Sequence, residues 1–272
     1  MTAASDAQEG RPRVGRARHA EFEPVYHHYG PHRAGLPPLI PYFRELWRRR
    51  AFAAEMSRAS MRSANTSTFF GQAWLIINPL LLAAVYYVLV TIIRRENDPA
   101  FFAHLTLGIF AFQLVGHSIT SGATSVTSSG KLLLNTPFPR LLIPLSAART
   151  AFFRFLPTVP VYFVFHLIFL PGVWHLSMIL SLYFLGTLIV FSMGLAAFFA
   201  TLQVYFRDTS NFLPYFVRLW MYLSPVLYPL SLVPEGWRQL YALNPMVGLV
   251  SGFRAAVLGG SECRQLGDLP AE

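Results

Sequence analysis

Apolar positions in this chain fall into blocks about as long as a bilayer is thick, separated by short polar breaks. The first block covers residues 74–93, WLIINPLLLAAVYYVLVTII, and stops at RRENDP. A second begins at Phe101 and fades after Ile119 into SGATSVTSSG. A third runs over 152–170 and ends at Pro171-Gly172, a fourth covers 176–202, and a fifth covers about 212–232. A membrane helix needs about 20 mostly apolar residues, so the pattern predicts an all-α polytopic membrane protein with about five spans. The stretch 236–258 is also apolar, but Pro245, Gly248, Gly252 and Arg254 interrupt it. Irregular backbone at membrane depth survives only where it is buried in protein or faces water. A re-entrant hairpin fits it better than a clean span.

Ahead of the first span the period changes. PYFRELWRRRAFAAEMSRASMRS places Phe43, Leu46 and Trp47 on one helical face and cations on the other. A helix of that kind lies in the headgroup plane, so 39–64 is expected to be an interfacial amphipathic helix contacting membrane lipid. Residues 1–38 are Arg-, Pro- and His-rich, with no apolar core of the kind a secretory signal carries. They read as a disordered cytoplasmic tail, and His27, His28 and His32 within it lack the spacing of a metal site. The transmembrane domain is expected over 65–260, and a short polar tail over 261–272.

Composition agrees with lipid as the solvent. Of 272 residues, 54% are hydrophobic and 13% charged, where soluble domains carry about 25% charged. The net charge of +9 would suit nucleic acid only on a soluble basic face; in a membrane protein it marks cytoplasmic loops. No nucleic-acid partner is expected. The basic residues place the N-terminus, residues 120–150 and Arg207-Asp208 in the cytoplasm, with PGVWH outside and only Arg94-Arg95 dissenting. One cysteine, Cys263, allows no internal disulfide.

Catalytic signatures are missing. SSGKL at 128–132 resembles the end of a phosphate loop, but Ser125 stands where the first glycine is required and Leu132 where Ser or Thr would hold magnesium. No GxSxG, HExxH or paired acidic motif occurs, and acids are nearly absent from the spans, which disfavours a proton-coupled carrier. His104, His117 and His166 are the candidate bases for a membrane-embedded acyl- or glycosyl-transferase, and none has an acidic partner nearby in sequence.

Four segments carry a family resemblance. FGQAWLIINPLL at 70–81 resembles the first-span entrance of ABC-2 type exporters through Gly71, Trp74 and Pro79, with Phe70 in place of the usual leucine. NTPFPRLLIP at 135–144 resembles their cytoplasmic segment through Phe138, Pro139, Arg140 and Pro144. VYFRDTSNF resembles the loop after the fourth span through Arg207 and Asp208, and LSPVLYPLSLVPEGWRQLYALNPM resembles the fifth-span exit and the following re-entrant segment. The subgroup most similar is the permeases that export O-antigen, teichoic acid or galactan.

The resemblance implies a homodimer of this subunit with two ATPase subunits, which would bind ATP and magnesium; this chain itself would be no enzyme and carry no cofactor. It implies a cargo of polyprenyl-diphosphate-linked glycan, with a lipid or drug exporter as the alternative. Asn135, Pro137, Phe138, Pro139 and Arg140 would be the coupling elbow, stiff because proline fixes φ. Arg149, Arg154 and Arg218 either snorkel to the interface or contact the diphosphate, whose geometry guanidinium matches. Arg218 lies about 9 Å into the fifth block at 1.5 Å per residue. Phe212, Tyr215, Phe216, Trp220, Tyr222 and Tyr228 either line a glycan conduit or pack between helices. The family's sixth span would follow the hairpin; residues 261–272 are too few and too polar to cross a bilayer, so either that span is missing or residues 240–258 serve as the last one.

Overall fold

The structure is a computed structural model and describes residues 38–64, 69–94, 99–130, 138–169, 176–228 and 233–258. Asn135, Pro137, residues 1–37 of the tail expected over 1–38, and the tail expected over 261–272 lie outside the described residues. Among those described, ten α-helices and one 3-10 turn occur, with no strand.

Two helices precede the spans. The single helix expected over 39–64 is divided at Arg49 into α1 (Leu39–Arg48) and α2 (Arg50–Ser63). The two differ in what they touch. α1 buries no residue and leaves Leu39, Ile40, Phe43 and Trp47 exposed, whereas α2 buries Ala53 and Ser57, one turn apart, against the bundle. A 3-10 turn at Gly71–Ala73 then leads into α3 (Trp74–Arg94). Gly71 has φ 49°, a left-handed conformation that side chains with a Cβ rarely adopt, which accounts for glycine at that point of the entrance motif.

At the centre lies α4 (Pro99–Ser128). At 1.5 Å per residue its 30 residues reach about 45 Å, beyond the roughly 30 Å hydrocarbon layer. The expected fade after Ile119 is therefore not a helix end. Ser118, Thr120, Ser121, Thr124, Ser125, Thr127 and Ser128 each bond a carbonyl three or four residues back, so polarity is absorbed into the helix itself. The stretch 120–150 is accordingly helical at both its ends.

The third block begins earlier than expected, as α5 (Leu142–Phe155), and continues as α6 (Thr158–Phe169) after a turn containing Pro157. α7 (Met178–Tyr205) matches the fourth block closely. The fifth does not hold as a span. α8 (Thr209–Tyr222) has 14 residues, about 21 Å, and stops before Ser224-Pro225; proline lacks the N–H a continuing helix requires. The last pair is α9 (Glu235–Ala242) and α10 (Pro245–Leu258), bent by 101° at a break between them. Among the described residues, four helical units are long and apolar enough to cross a membrane, five if that bent pair counts as one.

α4 packs most extensively on α7 and α5, and also meets α3, α6, α8 and α10. Small residues set the close approaches. A Cβ on Gly122 would meet the backbone of Ala196 in α7, so glycine there lets the two helices touch.

Candidate functional site

The elbow is docked rather than dangling. Phe138 lays its ring on Phe52 of α2 at 4.9 Å between centroids, and the Leu141 N–H donates to the Tyr42 hydroxyl of α1 at 3.3 Å. Arg140 is exposed, and Pro144 is buried within the first turn of α5. α2 is tied to the same helix by Thr150, whose hydroxyl bonds Ser57 at 3.0 Å. The elbow leads into α5 with no intervening loop, because the helix begins two residues after Arg140.

Further along α5 the side chains open onto a cavity of about 600 Å³. α3 supplies Trp74, Asn78, Pro79 and Tyr86; α4 supplies Gln113, His117 and Thr120; α8 supplies Pro214, Val217 and Met221. Arg154 of α5 and Arg218 of α8 both line it. Two of the three arginines singled out in the sequence therefore converge, although 64 positions separate them (218 − 154). The Arg154 Nε is buried without a hydrogen-bond partner. Arg149 lines neither this cavity nor the next; its guanidinium lies over Phe153 at 5.2 Å. Pro79 leaves the Leu75 carbonyl without its helical donor, and Leu75 is itself on the cavity wall. Between α3 and α8, the hydroxyls of Tyr86 and Tyr222 bond at 2.7 Å, with the rings edge-on at 6.2 Å.

A second, smaller cavity of about 270 Å³ adjoins the first through His117, Ala151 and Arg154, which line both. Its walls differ sharply in chemistry. Hydroxyls of α4 and α5 dominate, Ser121, Thr124, Ser125, Ser128, Ser146 and Thr150 among them.

The aromatic residues of α8 divide between two faces. Phe212, Phe216 and Trp220 form a ladder with 5.8 and 5.7 Å between centroids, packed on Phe199 and Phe191 of α7 and Phe112 of α4. Tyr215 points outward, 72% exposed. Tyr222 engages Tyr86, and Tyr228 donates to the Tyr222 carbonyl at 3.0 Å. None of the six lines the 600 Å³ cavity. Arg207 and Asp208 are exposed in the tight α7–α8 connection, where the Arg207 carbonyl accepts from the buried Gln203 side chain at 2.9 Å.

Sequence reasoning missed the clasp that holds the hairpin. Asn244, at the bend, accepts from Trp220 Nε1 at 3.0 Å and from the Met246 N–H at 3.1 Å. Its amide donates to the Leu223 carbonyl at 3.2 Å and to Ser224 Oγ at 3.0 Å. It thus caps α10, with Pro245 at the first helical position, while gripping the end of α8. Arg254, buried in α10, donates to the Pro225 carbonyl at 2.6 Å and to the Val226 carbonyl. A Cβ on Gly108 of α4 would strike that guanidinium. The available signal was the Asn-Pro pair and a lone Arg in an apolar run, but neither names its partner.

Comparisons with known proteins agree with this architecture. Two proteins from Klebsiella pneumoniae named O-antigen export system permease protein RfbA are each 30% identical to the chain. One aligns over 200 residues, 72% of this chain and 75% of its own; the other over 199, 71% and 75%. A protein of the same name from Myxococcus xanthus is 28% identical over 220 residues, 80% of this chain and 84% of its own. The family description "ABC-2 type transporter" matches residues 50–258. The chain is a multi-pass membrane protein and belongs to the ABC-2 type transporter family.

Proposed function

We propose that this chain is the transmembrane permease subunit of an ABC transporter that exports a polyprenyl-diphosphate-linked polysaccharide across the inner membrane. In this reading two copies pair as a homodimer with two ATPase subunits, which bind and hydrolyse ATP. The N-terminus and the elbow face the cytoplasm, and α1 rests its exposed apolar stripe in the lipid headgroups. The names of the Klebsiella and Myxococcus relatives support a polysaccharide cargo.

The observation that carries the reading is the continuity of α5. Its first turn grows out of the docked elbow, and its last turn presents Arg154 to the cavity it shares with Arg218. A push at Arg140 is thereby delivered to the helix that holds the anion-binding group. Guanidinium pairs bind diphosphate oxygens in bidentate fashion, and the apolar lining beside them suits an isoprenoid chain. A lipid or drug exporter would share the elbow but would not need the paired cations. A transferase is less well supported, because no acidic residue stands with His117 among the described residues lining either cavity.

Two experiments test this. Arg140→Glu should leave membrane insertion intact and abolish export while ATP hydrolysis by the assembled complex continues; normal export by that variant removes the coupling role. Arg154→Ala and Arg218→Ala should each weaken binding of an isoprenoid diphosphate by tenfold or more, measured on the full chain in nanodiscs; unchanged affinity in both removes the diphosphate contact.

A further inference from the structure

The smaller cavity has a hydrogen-bond polarity that restricts its occupant. Ser121, Thr124, Ser125, Ser128 and Ser146 each bond a backbone carbonyl of their own helix, and Thr150 bonds the Ser146 carbonyl and Ser57 Oγ. A carbonyl only accepts, so each hydroxyl bonded to one spends its single proton there. Its remaining lone pairs are what it offers the cavity. Ser60 and Ser129 also line the cavity, but these six hydroxyls make the wall rich in acceptors, which favours an occupant that brings donors. Phosphate oxygens have none to offer. The strong donor present is Arg154, at the boundary with the apolar cavity.

Along the paired helices α4 and α5 the order of surfaces is fixed. A cavity of mainly hydrocarbon lining, which also holds Asn78, Gln113 and Arg218, comes first, then the guanidinium of Arg154, then a chamber of acceptors. On α4 the change falls between His117 and Ser121, with Leu114 on the first cavity and Thr124 on the second, about 15 Å apart along the axis. A molecule matching that order has a hydrocarbon segment, an anionic centre and a polyhydroxylated group, in sequence. We infer that the hydroxyl chamber is the binding subsite for the first sugar ring of a lipid-diphosphate-linked glycan, read through the hydroxyl protons of that ring. The inference rests on the diphosphate reading of Arg154 and adds to it where the sugar sits and why the chamber carries serine and threonine. Ser121, Thr124 and Ser128 are exposed to the chamber, so they are the side chains a ring would meet.

The experiment compares two probes on the full chain in nanodiscs: an isoprenoid diphosphate, and the same lipid diphosphate carrying one hexosamine. The unaltered protein should favour the sugar-bearing probe by roughly tenfold, the effect of one or two hydrogen bonds. The triple variant Ser121→Ala, Thr124→Val, Ser128→Ala should lose that preference. Thr124→Ser, which keeps the acceptor, should retain it and so separates lost bonding from misfolding. The inference is overturned if the unaltered protein binds both probes alike, if the triple variant keeps the preference, or if the chamber's contribution requires magnesium rather than sugar. Arg154→Gln reports on the underlying reading separately: both probes should weaken together. Undiminished binding of the bare lipid diphosphate by that variant would defeat the diphosphate contact, whatever the sugar preference shows.

Discussion

α3 and α4 stand side by side, and both are long enough to cross a bilayer, yet they live in different solvents. In α4, 78% of the residues in its apolar stretch are buried, against 11% in α3. α3 is nonetheless the more apolar of the two. In water that ordering would be reversed. Lipid tails leave a span no reason to hide hydrocarbon, so the helix at the centre of the bundle is the one carrying glycines, serines and threonines that let neighbours approach. Hydropathy here reads outwardness, not depth in the protein.

The sharpest way to break this comparison is a glycine in each environment. Gly122→Leu should drive a side chain into the α7 backbone at Ala196, while Gly186→Leu in α7 enters open space. The first should cost about 3 kcal/mol, the upper end of what overpacking with backbone shifts costs, and should abolish monodisperse protein in size-exclusion chromatography. The second should leave the elution profile intact. Equal damage from both would refute the assignment of α4 to the interior.

A somewhat smaller loss is expected at the clasp. Arg254→Met should destabilise by about 2 kcal/mol, the scale of hydrogen bonds from a charged group, seen as a lowered melting temperature. Gly108→Ala presses on the same guanidinium, so the double variant should fall short of the summed losses. Full additivity would mean that Gly108 matters for some other reason.

On the outward side the effects should be slight. Val88→Ala and Leu89→Ala change α3 residues that are about half exposed, and each should stay within about 0.5 kcal/mol. Trp47 of α1, 69% exposed, should be quenched by brominated lipid in reconstituted protein; an unquenched Trp47 would remove α1 from the interface. The smallest effect concerns Glu45. Its hydrogen bond to Arg49, aided by Arg48, lowers its carboxyl below the usual carboxylate range. The folded pKa is depressed, so its support for α1 is present above the ordinary carboxylate pKa and is lost as pH falls through the lowered one. Hydrogen-exchange protection factors in α1, corrected for the intrinsic rate at each pH, should fall on acidification through that window in the unaltered protein. Glu45→Gln should not show the step.

The same contrast explains what was legible beforehand. α3 and α7 face outward, so their apolar blocks gave their bounds to within a few residues. α4 was cut short at Ile119 because its second half is polar by type, although each hydroxyl is satisfied within its own helix. The fifth block was carried past Tyr222 because composition does not weigh Pro225 against ten apolar neighbours. Arg154 and Arg218 stood out as charges among apolar residues, and their meeting required only that α5 and α8 flank one cavity. Asn244 and Gly108 did not stand out, since their roles depend on partners between 20 and 146 positions away (244 − 224 and 254 − 108).

The Tyr86–Tyr222 contact is a modest one in thermodynamic terms. One hydroxyl bond and one edge-on ring pair amount to about 1–3 kcal/mol together, comparable to a few times thermal energy. Beside the cavity, α3 and α8 are thus joined by a contact that Tyr86→Phe would reduce to its ring pair alone.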